Sequence, residues 1–105
     1  MQYISVTELK EKLLRNDRLT LLDIREEYER DICSIGGLHI PMAEVQDRSN
    51  EISKEQPVIV LCRSGKRAQS VANLLESDLN FSDVSIVEGG ILAWIEQVDN
   101  QLEAY

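Results

Sequence analysis

Apolar residues along the chain follow two patterns, short and nearly unbroken runs and longer stretches with helical spacing. The runs are four residues long and occupy positions 19–22, 58–61 and 84–87. Runs of this kind are typical of strands that are buried on both faces of a parallel sheet.

Helical spacing appears in three other segments. The first follows Ser5, which together with Glu8 has the spacing of a capping box. Apolar residues recur three or four positions apart in each segment, which predicts amphipathic helices. In chain order these residues are Val6, Leu9 and Leu13, then Ala68, Val71, Ala72, Leu75 and Leu79, then Ile91, Trp94, Ile95 and Val98.

The stretch between the first two strands has a weaker pattern. Asp23 ends the first strand, and Glu26, Glu27 and Glu29 follow it, which we interpret as a solvated polar turn. Two glycines at 36–37 and Pro41 then indicate a loop around a short segment at 38–40. Residues 43–52 are predicted to be weakly helical.

Strands that alternate with helices imply βαβ units and a largely parallel sheet, so the predicted fold class is α/β. The chain has 105 residues, which by length predicts a single domain over residues 1–105.

Composition excludes several classes of function. The net charge of −8 argues against nucleic acid or an anionic membrane as the main partner. No apolar run approaches the roughly 18 residues that a membrane span needs. Two cysteines are too few for a disulfide framework, and no Cys/His spacing resembles a zinc site, so we expect a cytoplasmic chain with reduced thiols.

A basic segment follows the second strand, where ligands bind in parallel sheets. We call residues 62–67 the Cys62 loop; they are Cys62, Arg63, Ser64, Gly65, Lys66 and Arg67. These six residues carry three positive charges, so the other 99 residues carry −11. Nearby cations, loop N–H groups and a helix N-terminus all favour the thiolate form of a cysteine.

Cysteine at a strand end is also common as a small buried apolar residue. An inert buried thiol does not require three neighbouring cations and a glycine, whereas a reactive thiolate is stabilised by them, so we favour a reactive nucleophile at Cys62.

The Cys62 loop closely resembles the active-site loop of single-domain rhodanese-like sulfurtransferases. Residues 22–28, Leu-Asp-Ile-Arg-Glu-Glu-Tyr, resemble the family's Asp-x-Arg-Glu and Glu-Tyr signature, and Gly89-Gly90 with Trp94 resembles its Gly-Gly motif. The resemblance implies a rhodanese-like fold, with a central, mainly parallel, five-stranded sheet flanked by helices on both faces. The chain departs from the family at 32–37, where the usual His-Ile-Pro-Gly-Ala stretch and its histidine are absent.

By that resemblance, the Cys62 thiolate takes the outer sulfur of a small anionic donor such as thiosulfate and holds it as a persulfide. A thiol or cyanide acceptor then removes the sulfur, without a metal or organic cofactor. The loop from Arg63 to Arg67 binds the donor, and a sulfur-relay protein is a further partner.

Other functions remain open at this point. Related phosphatases have one more residue between cysteine and arginine; position 68 here is Ala68, which disfavours a phosphatase or an arsenate reductase. A non-catalytic docking module or a sulfur carrier is the other alternative.

Several remaining residues are predicted to be structural. Asp23 and Arg25 are expected to support the site as a pair, and His39 and Trp94 to lie in the packed structure. Cys33 could form a disulfide with Cys62 only if their Cα atoms lie within about 7 Å.

Overall fold

The computed structural model describes residues 2–105, which contain five strands and four helices. In chain order the elements are β1 (Gln2–Ile4), α1 (Val6–Leu14), β2 (Thr20–Asp23), α2 (Glu27–Ile32), β3 (Leu38–His39), β4 (Val58–Leu61), α3 (Lys66–Asn73), β5 (Val84–Val87) and α4 (Gly90–Gln97).

The five strands form one sheet in the order β1-β5-β4-β2-β3, and every pairing is parallel. The predicted α/β class and the five-stranded parallel sheet are confirmed. The three apolar runs form the centre of the sheet. The residue pattern missed the two edge strands: β1 pairs only with β5, and β3, which was predicted as part of a loop, pairs only with β2.

Helices cover both faces of this sheet. All four residues of β4 are buried, and their side chains alternate between two cores. Val58 and Val60 pack with α3, whereas Ile59 and Leu61 pack with α1 and α4. All four residues of β4 are therefore apolar, as expected for a strand that is covered on both faces.

The three predicted helices are present. The N–H of Glu8 donates to the Ser5 hydroxyl at 3.1 Å, as the capping pattern predicts for α1. Beyond α3 the helix continues as a π-helical turn, Leu74–Asp78.

The weak helix predicted at 43–52 is wrong. The structure has two short 3₁₀ turns there, Met42–Glu44 and Ser49–Glu51. The segment 43–52 includes Asp47, Ser49 and Asn50, whose side chains compete with the backbone for hydrogen bonds and weaken a helix.

Within residues 2–105, no helix is long and apolar enough to cross a membrane.

Candidate active site

Cys62 lies directly after β4, at the edge of the sheet where the carboxyl ends of the strands meet. The residue is 1% exposed and packs in the core on the α3 face. The backbone N–H of Gly65 donates a hydrogen bond to its Sγ at 3.0 Å. An N–H group aimed at sulfur stabilises negative charge on that atom, so the Cys62 loop has the geometry of an anion cradle.

Gly65 makes the turn that brings its N–H to the thiol. Its φ of +110° lies in a region that residues with a side chain rarely adopt, and α3 begins at the next residue. The first N–H groups of α3, which have no partner within the helix, therefore continue directly from the loop.

Gly90 closes the loop from the other side. A Cβ atom at this position would lie 2.3 Å from the Arg63 carbonyl oxygen and 2.6 Å from that of Cys62. The first amides of α4 use this close approach: Ile91 N–H donates to the Cys62 carbonyl at 2.9 Å and Leu92 N–H to the Arg63 carbonyl at 3.1 Å. The Gly-Gly pair thus lets α4 hold the loop backbone through hydrogen bonds.

The three cations of the loop have different surroundings. Arg67 forms two hydrogen bonds of 2.7 Å with the Glu29 carboxylate. Arg63 donates to the backbone carbonyl of Tyr105 and lies over its ring, with 5.1 Å from Cζ to the centroid. Lys66 and Ser64 are exposed, and within residues 2–105 the Lys66 ammonium makes no ion pair or hydrogen bond.

Arg67 of the Arg67–Glu29 pair interacts electrostatically with Cys62. Hydrogen bonding to Glu29 is the main cause that raises the pKa of Arg67, and the charge of a Cys62 thiolate raises it further. Arg67 therefore adds to the field at Cys62 while its terminal nitrogens are occupied by a carboxylate.

The predicted solvated polar turn is wrong, because helix α2 begins at Glu27 and Glu29 within it is only 2% exposed. Glu26 instead caps α2, and its N–H donates to Glu29 Oε1 at 3.1 Å. Oε1 and Oε2 also accept from Arg67, and Oε2 accepts from the Tyr105 hydroxyl at 2.7 Å. Four donors satisfy the carboxylate, which is why it is buried as an anion.

This arrangement predicts acid sensitivity. Hydrogen bonding to Arg67 is the main cause that lowers the pKa of Glu29 from 4.5 to about 2. A lowered folded-state pKa stabilises the fold above the unfolded value, and the contribution is lost as the pH falls from about 4.5 towards about 2. Its size is on the order of 3 kcal/mol in the free energy of unfolding. Urea unfolding of wild type and Glu29→Gln between about pH 5 and pH 2 measures this contribution. If the free energy of unfolding falls equally with pH in the two proteins, the prediction is contradicted.

Asp23 and Arg25 form a fully buried ion pair next to Glu29. Arg25 donates to the Asp23 carboxylate through Nε at 3.0 Å and Nη2 at 2.9 Å. The same guanidinium donates to the carbonyl oxygens of Cys33 and Glu29, at 2.9 and 3.3 Å. The pair thereby connects the end of β2 with the middle and the C-terminal end of α2.

Comparison with known proteins identifies the family to which this chain belongs. The rhodanese-like domain matches residues 5–97, which include every strand except β1 and the entire Cys62 loop. The chain belongs to the rhodanese-like domain family.

Two relatives come from Bacillus subtilis (strain 168). The protein named "Putative sulfurtransferase YtwF" is 35% identical over 92 residues, which cover 87% of each chain. The protein named "Putative sulfur carrier protein YrkF" is 33% identical over 92 residues, 87% of this chain and 49% of that protein. The chain thus spans about half the length of YrkF.

Among solved structures, a rhodanese-like domain protein from Staphylococcus aureus is 32% identical with a TM-score of 0.82. The match covers 100% of this chain and 99% of that one. The rhodanese-like fold therefore extends over the described residues.

In this rhodanese-like domain, the two glycines that end the 32–37 stretch, where the family histidine is absent, place the backbone close to β2. Gly36 and Gly37 both have positive φ, and a Cβ on Gly37 would lie 2.5 Å from the Leu21 carbonyl oxygen. His39 follows on β3, and its Nε2 is 2.7 Å from the Arg25 carbonyl oxygen. His39 is thus hydrogen-bonded to the backbone of the Asp23–Arg25 turn.

The second cysteine of the rhodanese-like domain lies in the other core. Cys33 is 6% exposed and packs with Trp94 on the face that α1 and α4 cover, whereas Cys62 packs on the α3 face. Arg25 Nη1 donates a long hydrogen bond to the Cys33 Sγ, at 3.9 Å. Both cysteines are free thiols, separated by the sheet.

Proposed function

We propose that the chain is a sulfurtransferase that holds a sulfane sulfur as a persulfide on Cys62, and that residues 1–105 act as one domain. The observation that carries this proposal is the 3.0 Å hydrogen bond from Gly65 N–H to Sγ in a cationic loop. Membership of the rhodanese-like family and the names of the two Bacillus relatives support it.

The proposed first step is a displacement at sulfur. The Cys62 thiolate attacks the outer sulfur of thiosulfate, a new S–S bond forms at Sγ, and the donor's S–S bond breaks with its electron pair leaving on sulfite. A monoanionic persulfide and a dianionic sulfite replace a monoanionic thiolate and a dianionic donor, so charge and electrons balance. An acceptor thiolate or cyanide then attacks the terminal sulfur and restores Cys62.

The Cys62 loop supplies the binding groups for this step. The backbone N–H groups from Ser64 onwards stabilise the terminal sulfur anion, as an oxyanion hole stabilises oxygen. Among the loop cations, the exposed Lys66 is the one we assign to capture of the anionic donor, because Arg67 and Arg63 already have partners.

A carrier role is the second candidate, since one relative is named as a sulfur carrier. In that case the acceptor is a thiol of a partner protein. A persulfide on a free thiol requires a compartment that keeps thiols reduced, which is why we propose the cytoplasm.

Mass spectrometry tests the persulfide directly. Brief treatment with thiosulfate should raise the intact mass by one sulfur, about 32 Da, and cyanide or dithiothreitol should remove it. Peptide mapping should place the added sulfur on Cys62. A protein that gains no sulfur, or gains it on Cys33, contradicts the proposal.

Lys66 should govern donor capture. We expect Lys66→Gln to lower kcat/KM for thiosulfate about tenfold at low salt, the lower end for loss of a charged contact. The defect should shrink in about 0.5 M salt, because screening weakens wild-type capture as well. The exposed Lys10 on α1 provides the matched control, Lys10→Gln. Equal salt dependence in all three proteins assigns capture to the backbone amides instead.

A further inference from the structure

The segment after α4 returns to the active site. Residues 98–105 lie beyond the part of the chain that matches the rhodanese-like domain, which ends at residue 97. Val98, Leu102 and Tyr105 pack against the core on the face of α1 and α4. We call residues 98–105 the return segment.

The Tyr105 hydroxyl links two charged groups inside the domain. It accepts a hydrogen bond from Arg25 Nη1 at 3.0 Å and donates one to Glu29 Oε2 at 2.7 Å. The direction is fixed, since a guanidinium only donates and a carboxylate only accepts. Burial raises the pKa of Tyr105 to about 12, so the hydroxyl keeps its proton near neutral pH.

Tyr105 also meets the Cys62 loop itself. Its backbone carbonyl accepts a hydrogen bond from Arg63, and its ring lies under the Arg63 guanidinium. Arg25 lies over the same ring at 5.9 Å. The Tyr105 side chain therefore contacts Arg63 of the loop and both Arg25 and Glu29 behind it.

We propose that Tyr105 is a positioning residue for sulfur transfer, which holds the Glu29 carboxylate on Arg67 and so fixes the first turn of α3 against Cys62. This inference rests on the proposed function. It assigns to the return segment a part in the chemistry that the residues matched to the family do not supply.

The argument follows the chain of contacts. Oε2 of Glu29 accepts from both Tyr105 and Arg67, so the hydroxyl holds the oxygen to which Arg67 Nη2 binds. Arg67 is the second residue of α3 and follows Gly65 by two positions. A shift of Arg67 therefore shifts the amide that donates to Cys62 Sγ, and small misplacements of this kind slow a reaction strongly.

Tyr105→Phe tests the hydroxyl while it keeps the ring. We expect the saturating rate of sulfur loading to fall about three- to tenfold, while the half-saturating thiosulfate concentration changes less than about twofold, because Lys66 is untouched. The exposed Tyr28 gives the matched control, Tyr28→Phe, which should load at the wild-type rate. A loading rate for Tyr105→Phe equal to that of the control overturns the proposal.

A double-mutant cycle separates positioning from general support of the fold. If Tyr105 acts through Glu29, Tyr105→Phe should lower the saturating rate of sulfur loading by less than about 1.5-fold when Glu29→Gln is already present. The same fold loss in both backgrounds means that the hydroxyl acts elsewhere, and overturns the proposal. Should Glu29→Gln fail to fold, Arg67→Lys takes its place in the cycle.

Alkylation of Cys62 by iodoacetamide keeps the two proposals distinguishable. Loss of the hydroxyl should loosen the loop around a thiol that is now 1% exposed, and so raise the alkylation rate at least about twofold. This measurement needs no sulfur transfer. A wild type that takes up no sulfur contradicts the proposed function, whereas an unchanged alkylation rate in Tyr105→Phe contradicts the role of Tyr105.

Discussion

Replacing Cys62 by alanine is expected to abolish sulfur transfer from thiosulfate to cyanide, with kcat falling at least about a thousandfold. The proposed covalent route needs a sulfur nucleophile at the end of β4, and the other thiol lies on the far side of the sheet. The loop amides and cations remain in the variant, but they have no persulfide to stabilise.

Cys33→Ala is the control for this experiment. Its side chain is buried beside Trp94 and Arg25, on the face of the sheet opposite Cys62, so the substitution should lower stability and leave turnover within about twofold of wild type. Steady-state turnover of both variants decides the matter. If Cys62→Ala keeps more than about one hundredth of the wild-type rate, a nucleophile other than Cys62 is at work.

Local sequence predicted the elements that carry their own signal. The runs at 58–61 and 84–87 are buried on both faces, and α1 has its capping residues beside it, so neighbours along the chain determine each element. Strand β1 has no such signal. Three residues become a strand because β5 offers a parallel edge more than 80 positions later in the chain.

The contacts of Glu29 with Arg67 and Tyr105 could not be predicted for the same reason. Glu29 is typical of an exposed turn until Arg67 and Tyr105 come to it from 38 and 76 positions away. The three cations of the Cys62 loop look equivalent in sequence, yet long-range contacts divide them. Arg67 and Arg63 acquire partners, and Lys66 stays free in the described part of the chain.

The role of Gly90 depends on contacts that its local sequence does not contain. The sequence has two adjacent glycines at 89–90, and the family resemblance identifies them as a motif. The physical cause, contact with the Cys62 and Arg63 carbonyls, depends on a loop almost thirty residues earlier.

Loss of the Asp23–Arg25 ion pair is expected to destabilise the fold strongly. Arg25→Met should lower the free energy of unfolding by about 3–5 kcal/mol, because it leaves the Asp23 carboxylate buried without its main partner. Arg30 Nε, 3.9 Å from the same carboxylate, is too distant for a good hydrogen bond. The carbonyl oxygens of Cys33 and Glu29 lose donors as well.

Two further variants identify the cause of that loss. Arg48→Met breaks ion pairs with Glu44 and Glu51 on the surface, where water replaces the lost contacts, so it should destabilise far less. Adding Asp23→Asn to Arg25→Met removes the uncompensated charge and should recover part of the stability. Urea unfolding of the four proteins measures these differences. If the double variant is no more stable than Arg25→Met, the loss comes from the missing donors to α2 rather than from the buried carboxylate.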